Sequence, residues 1–334
     1  MTTTLDRVSL EQAQKDKTVQ AGVTCPACGR AQSRVLRVGV RENPDTPVFV
    51  CNGCQIQHLT SKWEDEATLR DYYRSEYRLT HDSVPGKTLT PEERHIFQAK
   101  TQATSARNFK EKVPEGGSVL EIGCSAGGFL THLQGRHELY GLEWNPEDAA
   151  YVRTTGGVPC EEGLLDDAFP GKTFNAIVAI SVMEHQPDPA AWLRSVKKRL
   201  VGGGYLYLEV PHANDPLSAV YLNRAYQDFF YREPHITYWL PHQLHWFLDS
   251  MGFEATVSPQ QRYGLLNHLN WALNNAPMSD AESARLLLKL VSPQHPMGPL
   301  FNRMLAKLDK EYRIFLQGVW ASDTISAACR RLEI

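Results

Sequence analysis

The stretch Ser118-Val-Leu-Glu-Ile-Gly-Cys-Ser-Ala-Gly-Gly-Phe-Leu130 decides the reading of this chain. Val119, Leu120 and Ile122 form a short apolar run that reads as a buried strand. Gly123, Ser125, Gly127 and Gly128 read as the turn that follows, and Phe129 to Gln134 as the start of a helix. A strand that ends in such a turn lets a ligand lie close to the main chain, because no Cβ intervenes. Glycine turns of this kind serve several nucleotide ligands. Glu121, before the first glycine, and a second acid at the end of the next strand narrow the choice. That strand is Glu138-Leu-Tyr-Gly-Leu-Glu143. Glu143 follows Gly123 by 20 residues, the interval at which a carboxylate accepts hydrogen bonds from ribose hydroxyls in folds of this type.

Upstream, Pro91 to Lys112 carries apolar residues at helical intervals (Ile96, Ala99, Ala103, Ala106, Phe109) and stops before Pro114-Glu-Gly-Gly117. Leu193 to Leu200 reads as a helix, Val201-Gly-Gly-Gly204 as a tight turn, Tyr205 to Val210 as a fifth strand, and Glu254 to Val257 as part of a further strand. Strands alternating with helices in this way imply a parallel α/β sheet with a ligand across its carboxyl ends.

Val119-Leu-Glu-Ile-Gly-Cys-Ser-Ala-Gly-Gly128 resembles the first motif of class I S-adenosylmethionine-dependent methyltransferases, and the likeness extends over about residues 95 to 257. The resemblance implies a doubly wound, mostly parallel, seven-stranded methyltransferase sheet and S-adenosyl-L-methionine as cofactor, with Val158 to Asp167 similar to the family's third-strand end and Lys172 to His185 to its fourth strand. It gives Glu121, Gly123, Ser125 and Gly127 the cradle for the methionine and ribose parts. Cys124 inside the turn, Trp144 beside Glu143, and Ser181 at the end of the fourth strand are counted with that site; Cys124 reads as a small buried residue rather than a nucleophile. Gly163 and Leu164 match the adenine-holding position, although the acid that usually follows the glycine is absent and Asn175 stands where an aspartate is common.

Two further pairs, Cys25-Pro-Ala-Cys28-Gly and Cys51-Asn-Gly-Cys54, are separated by 22 residues. Two such knuckles supply four thiolates to one ion, and tetrahedral sulfur coordination suits Zn(2+) in a closed, structural site. Arg34 to Gly39 and Pro47 to Val50 read as the hairpin of a zinc ribbon. A redox dithiol is the weaker alternative, because no βαβ pattern adjoins the pairs. After the ribbon, Asp71-Tyr-Tyr-Arg-Ser-Glu-Tyr-Arg78 reads equally as packing between ribbon and main domain or as a substrate-facing segment.

Methyl transfer needs an aligned acceptor and a base for its proton. His185 directly follows the fourth strand and is one candidate base; capping of the turn at Pro187-Asp-Pro189 is its alternative role. Glu233, His235 and Tyr238 form a second polar cluster in Tyr231-Arg-Glu-Pro-His-Ile-Thr-Tyr238. This segment resembles the Glu-His-x-x-Tyr segment of zinc-containing sugar C-methyltransferases, which act on keto sugars carried by thymidine diphosphate. A proline separates Glu233 from His235 here, and the region after the core is shorter than that family's final domain. The resemblance implies a base that removes a proton alpha to a carbonyl, with Glu233 and His235 as the pair.

A formal net charge of -3 and a mixed polar composition provide no broad basic field, so a small-molecule acceptor is expected and nucleic acid is disfavoured as a partner. No apolar run approaches the ~18 residues needed to span a bilayer, and Met1 to Thr18 lacks the pattern of a secretory signal; a cytoplasmic location is expected. The expected division is a flexible arm (1–20), a zinc ribbon (21–62), a connector (63–94), the cofactor-binding core (95–263) and a helical C-terminal extension (264–334). In the extension, Ala281 to Leu290 and Pro299 to Gln317 have helical spacing and would form a substrate lid or a homodimer surface. The expected acceptor is a sugar nucleotide, glycan precursor or natural-product intermediate. An RNA methyltransferase guided by its ribbon and a non-catalytic scaffold are the competing readings.

Overall fold

The structure is a computed structural model that describes residues 19–63, 65–80, 88–278 and 294–333. They fall into two compact units. The first comprises residues up to Thr60, Pro211–Gln243 and Ser258–Ile325; the second comprises Ser61–Val210, Leu244–Val257 and the residues from Ser326 onward.

In the first unit, strands β1 (Val19–Ala21), β2 (Gln32–Val38), β3 (Pro47–Cys51) and β4 (Gln57–His58) form an antiparallel ribbon. The expected hairpin is the β2–β3 pair, with Arg34 opposite Val50 and Ser33 opposite Cys51. The core sheet takes β5 (Ser118–Ile122), β6 (Glu138–Leu142), β7 (Cys160–Glu161), β8 (Phe174–Ile180) and β9 (Leu200–Pro211). Strand β10 (Thr237–Tyr238) pairs antiparallel with β4 and so extends the ribbon to five strands. This ribbon is therefore not a self-contained module, because residues almost two hundred positions downstream complete its sheet. Val40, Val48, Leu59, Tyr226, Phe230 and Trp271 belong to the apolar core of this unit.

The seven-stranded sheet is completed by β11 (Phe253–Gln260) and β12 (Thr324–Arg331), in the spatial order β11-β12-β9-β8-β5-β6-β7. β5 is parallel to both β6 and β8, with Leu120 opposite Tyr140 on one side and Ile177 on the other. All five residues of β5 are buried. The strand order reverses between β5 and β8, and at such a switch point the loops leaving the two carboxyl ends diverge and open a crevice.

Three sequence expectations change. The stretch 264–334 is not wholly helical: Leu265–Asn274 and Gly298–Gly318 are helices, but the chain then returns as β12 to fill an interior place in the core sheet. The helix expected over Ala281 to Leu290 lies outside the described residues. The Pro91 to Lys112 stretch is two helices, Pro91–Thr101 and Ala103–Lys112, broken where Gln102 leaves helical geometry. The segment after the glycine turn makes only a short 3-10 helix, Leu130–Leu133, ended by Gln134 in an extended ψ and by Gly135 with φ +74°. No helix among the described residues is long and apolar enough to cross a membrane.

Candidate cofactor cavity and cysteine cluster

At the switch point the second unit contains a cavity of about 250 Å³. Gly123, Ser125, Glu143, Trp144, Ser181 and His185 line it, as do Glu66, Tyr73, Tyr77 and Arg78 from the segment before the core. Its floor is the turn after β5. Gly123 has φ +68°, and an added Cβ would lie 2.9 Å from Val182 Cγ2. Ser125 and Ser181, at the ends of β5 and β8, also adopt left-handed backbone with φ 47° and 55°. Such conformations are costly for residues with a Cβ and cluster where a fold holds a ligand.

Glu143 is buried at the end of β6, and burial pushes its carboxyl above the usual range while Arg78 opposes that shift. Its Oε2 accepts from the Ser125 amide at 2.7 Å and its Oε1 from the Asn145 amide at 2.7 Å. Asn145 caps the helix Pro146–Thr154, so the carboxylate is held by both the glycine turn and a helix start. Each oxygen keeps a further lone pair for an incoming hydroxyl. Tyr73 Oη lies 2.8 Å from His185 Nδ1, and the Tyr73 ring stacks on Tyr77 at 4.4 Å with Trp144 against it at 5.9 Å.

Other predicted cofactor residues support the site rather than line it. Glu121 is buried, its Oε2 has no hydrogen-bond partner, and burial followed by the nearby Glu143 raises its carboxyl well above the ordinary range. Cys124 packs 3.8 Å from Cys160 Sγ, the environment of a small buried residue. Gly127 packs against Val152. Gly163 gives its carbonyl to Trp144 Nε1 at 3.0 Å, and Leu164 closes the next turn through its own carbonyl. Asn175 Oδ1 accepts from the Ser118 amide at 2.9 Å, tying together the starts of β5 and β8.

Of the segment Asp71 to Arg78, the structure turns Tyr73, Tyr77 and Arg78 to the cavity, whereas Tyr72 packs against Trp63 at 5.0 Å. Gln98, Gln102 and Trp192 also line the cavity and were not singled out. Their polarity was readable, but their direction depends on how the helices before and after the core pack.

The first unit holds the four cysteines. Cys25 and Cys54 sulfurs are 3.6 Å apart, Cys28 and Cys51 sulfurs 3.5 Å, and all four lie within 4.8 Å of one another. A tetrahedron with ~2.3 Å metal–sulfur bonds has edges of about 3.8 Å. The turns that present them close by main-chain bonds from Gly29 N to Cys25 O and from Gln55 N to Cys51 O, with Gly29 and Gln55 both at positive φ. Glu233, His235 and Tyr238 belong to the same unit. Tyr238 is fully buried, and its hydroxyl accepts from Arg232 N at 2.8 Å and donates to Phe230 O at 3.5 Å. The Glu233 amide donates to Glu42 at 2.9 Å, and the His235 amide to Arg232 O at 3.0 Å.

A doubly wound sheet with a glycine turn, a buried acid one strand later and a cavity at the switch point has the layout of a nucleoside-binding α/β domain. Residues 93–257 match the family model described as a methyltransferase domain. That segment is a class I methyltransferase domain, and the chain is an S-adenosylmethionine-dependent methyltransferase. No curated protein sequence matches it. Among solved structures, it is similar to magnesium protoporphyrin IX methyltransferase from Synechocystis PCC 6803 with bound S-adenosylhomocysteine, at 11% identity over 80% of this chain and 100% of the other, with a TM-score of 0.46. It is also similar to a methyltransferase from Thermotoga maritima, at 16% identity over 72% and 94% of the two chains and a TM-score of 0.45. A third similar structure is a methyltransferase from Archaeoglobus fulgidus, at 15% identity over 71% and 94%, with a TM-score of 0.43.

Proposed function

We propose that this enzyme methylates a small-molecule acceptor, a sugar nucleotide, glycan precursor or natural-product intermediate, with His185 as the group that takes the acceptor's proton. The observation that supports this reading is that one cavity joins Glu143 and Gly123 to the Tyr73–His185 pair. The residues present fit the cofactor: Gly123 brings the main chain close, and Glu143 is aimed by two amides with acceptor capacity left. S-adenosylmethionine, when bound, supplies an electrophilic methyl group on a sulfonium.

Gly123, Ser125 and Glu143 would hold the nucleoside and set the reacting end of the cavity. Tyr73 contributes orientation. For His185 Nε2 to accept a proton, Nδ1 must carry the ring hydrogen and donate it to Tyr73 Oη, and the 2.8 Å contact allows that arrangement. The cysteine cluster would hold Zn(2+) as a closed structural ion, with no open position for chemistry.

Calorimetry with S-adenosylhomocysteine should show Glu143→Ala binding on the order of 10- to 100-fold more weakly than wild type, the effect of losing charge-assisted hydrogen bonds. Unchanged affinity would remove the ribose assignment. On a candidate ketosugar nucleotide, His185→Ala should lose on the order of 10²-fold or more in turnover, and Tyr73→Phe a smaller factor with a shifted pH profile. Full turnover in both His185→Ala and His235→Ala would mean that the proton leaves by another route.

A further inference from the structure

The helix Gly298–Gly318 of the first unit turns its apolar side to solvent. Of its side chains only Leu316 is buried. Its ties to the rest of the unit are largely polar: Asp309 accepts from the Leu265 amide at 2.7 Å, Arg313 donates to the Arg262 carbonyl, and the Tyr312 hydroxyl meets Tyr221 Oη at 2.8 Å and also His268 Nδ1. Meanwhile Leu300, Phe301, Met304, Leu308, Phe315 and Val319 are each 46–62% exposed. At 3.6 residues per turn, all of these but Leu300 fall within an arc of about 60°. Helices in folded proteins are held mainly by packing of an apolar face, and this face has no cover among the described residues. At roughly 100 Å² of open surface apiece, the six make a patch of roughly 600 Å², the upper end of what a typical monomer shows. With the exposed Lys307 and Glu311 along its edge, it approaches the ~800 Å² per partner of a standard interface.

We propose that this seam is a self-association surface, on which two copies of the chain pair the helix Gly298–Gly318 antiparallel about a two-fold axis at Leu308. Leu308 stands seven residues after Phe301 and seven before Phe315. An axis at that point sets Leu308 against itself and Phe301 against Phe315 of the partner subunit, so one patch complements its own copy, as an isologous contact requires. Charge selects the direction. In the antiparallel pair Glu311 comes beside Lys307 of the partner subunit, and the contact is made twice. A parallel pair would set Glu311 against its own copy in the seam, where like charges repel.

The test is the oligomeric state of the full chain, by light scattering and sedimentation at roughly 1 to 100 µM, the range in which a contact of this size becomes populated. Wild type should run at twice the mass of one chain. Leu308→Glu, and the milder Phe315→Gln, should weaken the dimer on the order of 100-fold or more and 10-fold respectively, while the far-ultraviolet dichroism stays that of wild type. Glu311→Lys should weaken it on the order of several-fold, and adding Lys307→Glu should restore it. Lys310→Ala, on the far side of the helix, should change nothing. A wild type that stays monomeric at the highest concentration overturns the proposal and leaves the seam to another part of the chain or a different protein. A dimer that Leu308→Glu and Phe315→Gln both leave intact overturns it as well, because the contact then lies elsewhere. Failure of the charge exchange to restore a dimer broken by Glu311→Lys overturns the antiparallel arrangement.

Discussion

Removing the ion from the cysteine cluster, by chelation or by Cys51→Ser, is expected to unfold the ribbon end of the first unit. Cys51 is fully buried at the end of β3, opposite Ser33 of β2, so under the zinc assignment its sulfur would be both a ligand and a part of the sheet. The ribbon strands are short and β4 has only two residues, so main-chain pairing alone holds the hairpin weakly. Metal binding is then folding free energy. Structural zinc supplies about 10–16 kcal/mol in small zinc-binding peptides, and a loss on the order of half that is expected where β10 also supports the sheet. The purified chain should contain about one zinc per molecule by elemental analysis, and thermal unfolding of the variant should show an early transition. Metal-free protein with an unaltered melting curve would end the zinc assignment.

Gly128→Ala should be the most damaging small substitution in the cofactor domain. A Cβ there would lie 2.5 Å from Gln98 Cβ, 2.6 Å from the Ala99 amide and 2.9 Å from the Gln98 carbonyl carbon. Two of these atoms are main chain, so the helix Pro91–Thr101 must move as a body. Overpacking of this kind costs about 1–3 kcal/mol or more, and urea unfolding should report the upper end of that range. Because Gln98 lines the cavity, S-adenosylhomocysteine affinity should fall as well. Gly163→Ala is the control: its nearest neighbour is 4.0 Å away, and a change within about 0.5 kcal/mol is expected. Equal stability of the two variants would contradict the packing described for the turn.

The features legible in the sequence are those in which a local pattern carries its own physical reason. The Gly123–Gly128 turn, the acid one strand later and the paired cysteines are short-range arrangements, and the structure places each in the expected local setting. What escaped depends on long-range pairing. Thr324-Ile-Ser-Ala-Ala-Cys-Arg-Arg331 is buried at its first four residues and at Cys329 and so lacks the alternation of a half-exposed strand, and it follows a long helical run. Tyr73 and Arg78 carried chemical promise, yet half a turn of rotation of the helices Glu66–Ser75 and Tyr77–Thr80 would aim them elsewhere. Tyr238 resembled a reactive tyrosine by its neighbours, but its placement in β10 buries the ring and engages the hydroxyl with backbone.

β12 stands between β9 and β11, and the 261–323 segment separates it from β11 along the chain. A ribosome therefore delivers β11 well before the strand that joins it to the sheet. During that interval the nascent methyltransferase domain offers an open flank of unpaired amide and carbonyl groups at β9, the kind of edge that recruits foreign strands. Chaperone protection during synthesis would matter most in that window, and a cut anywhere in the intervening segment would leave closure of the sheet to an encounter between two fragments.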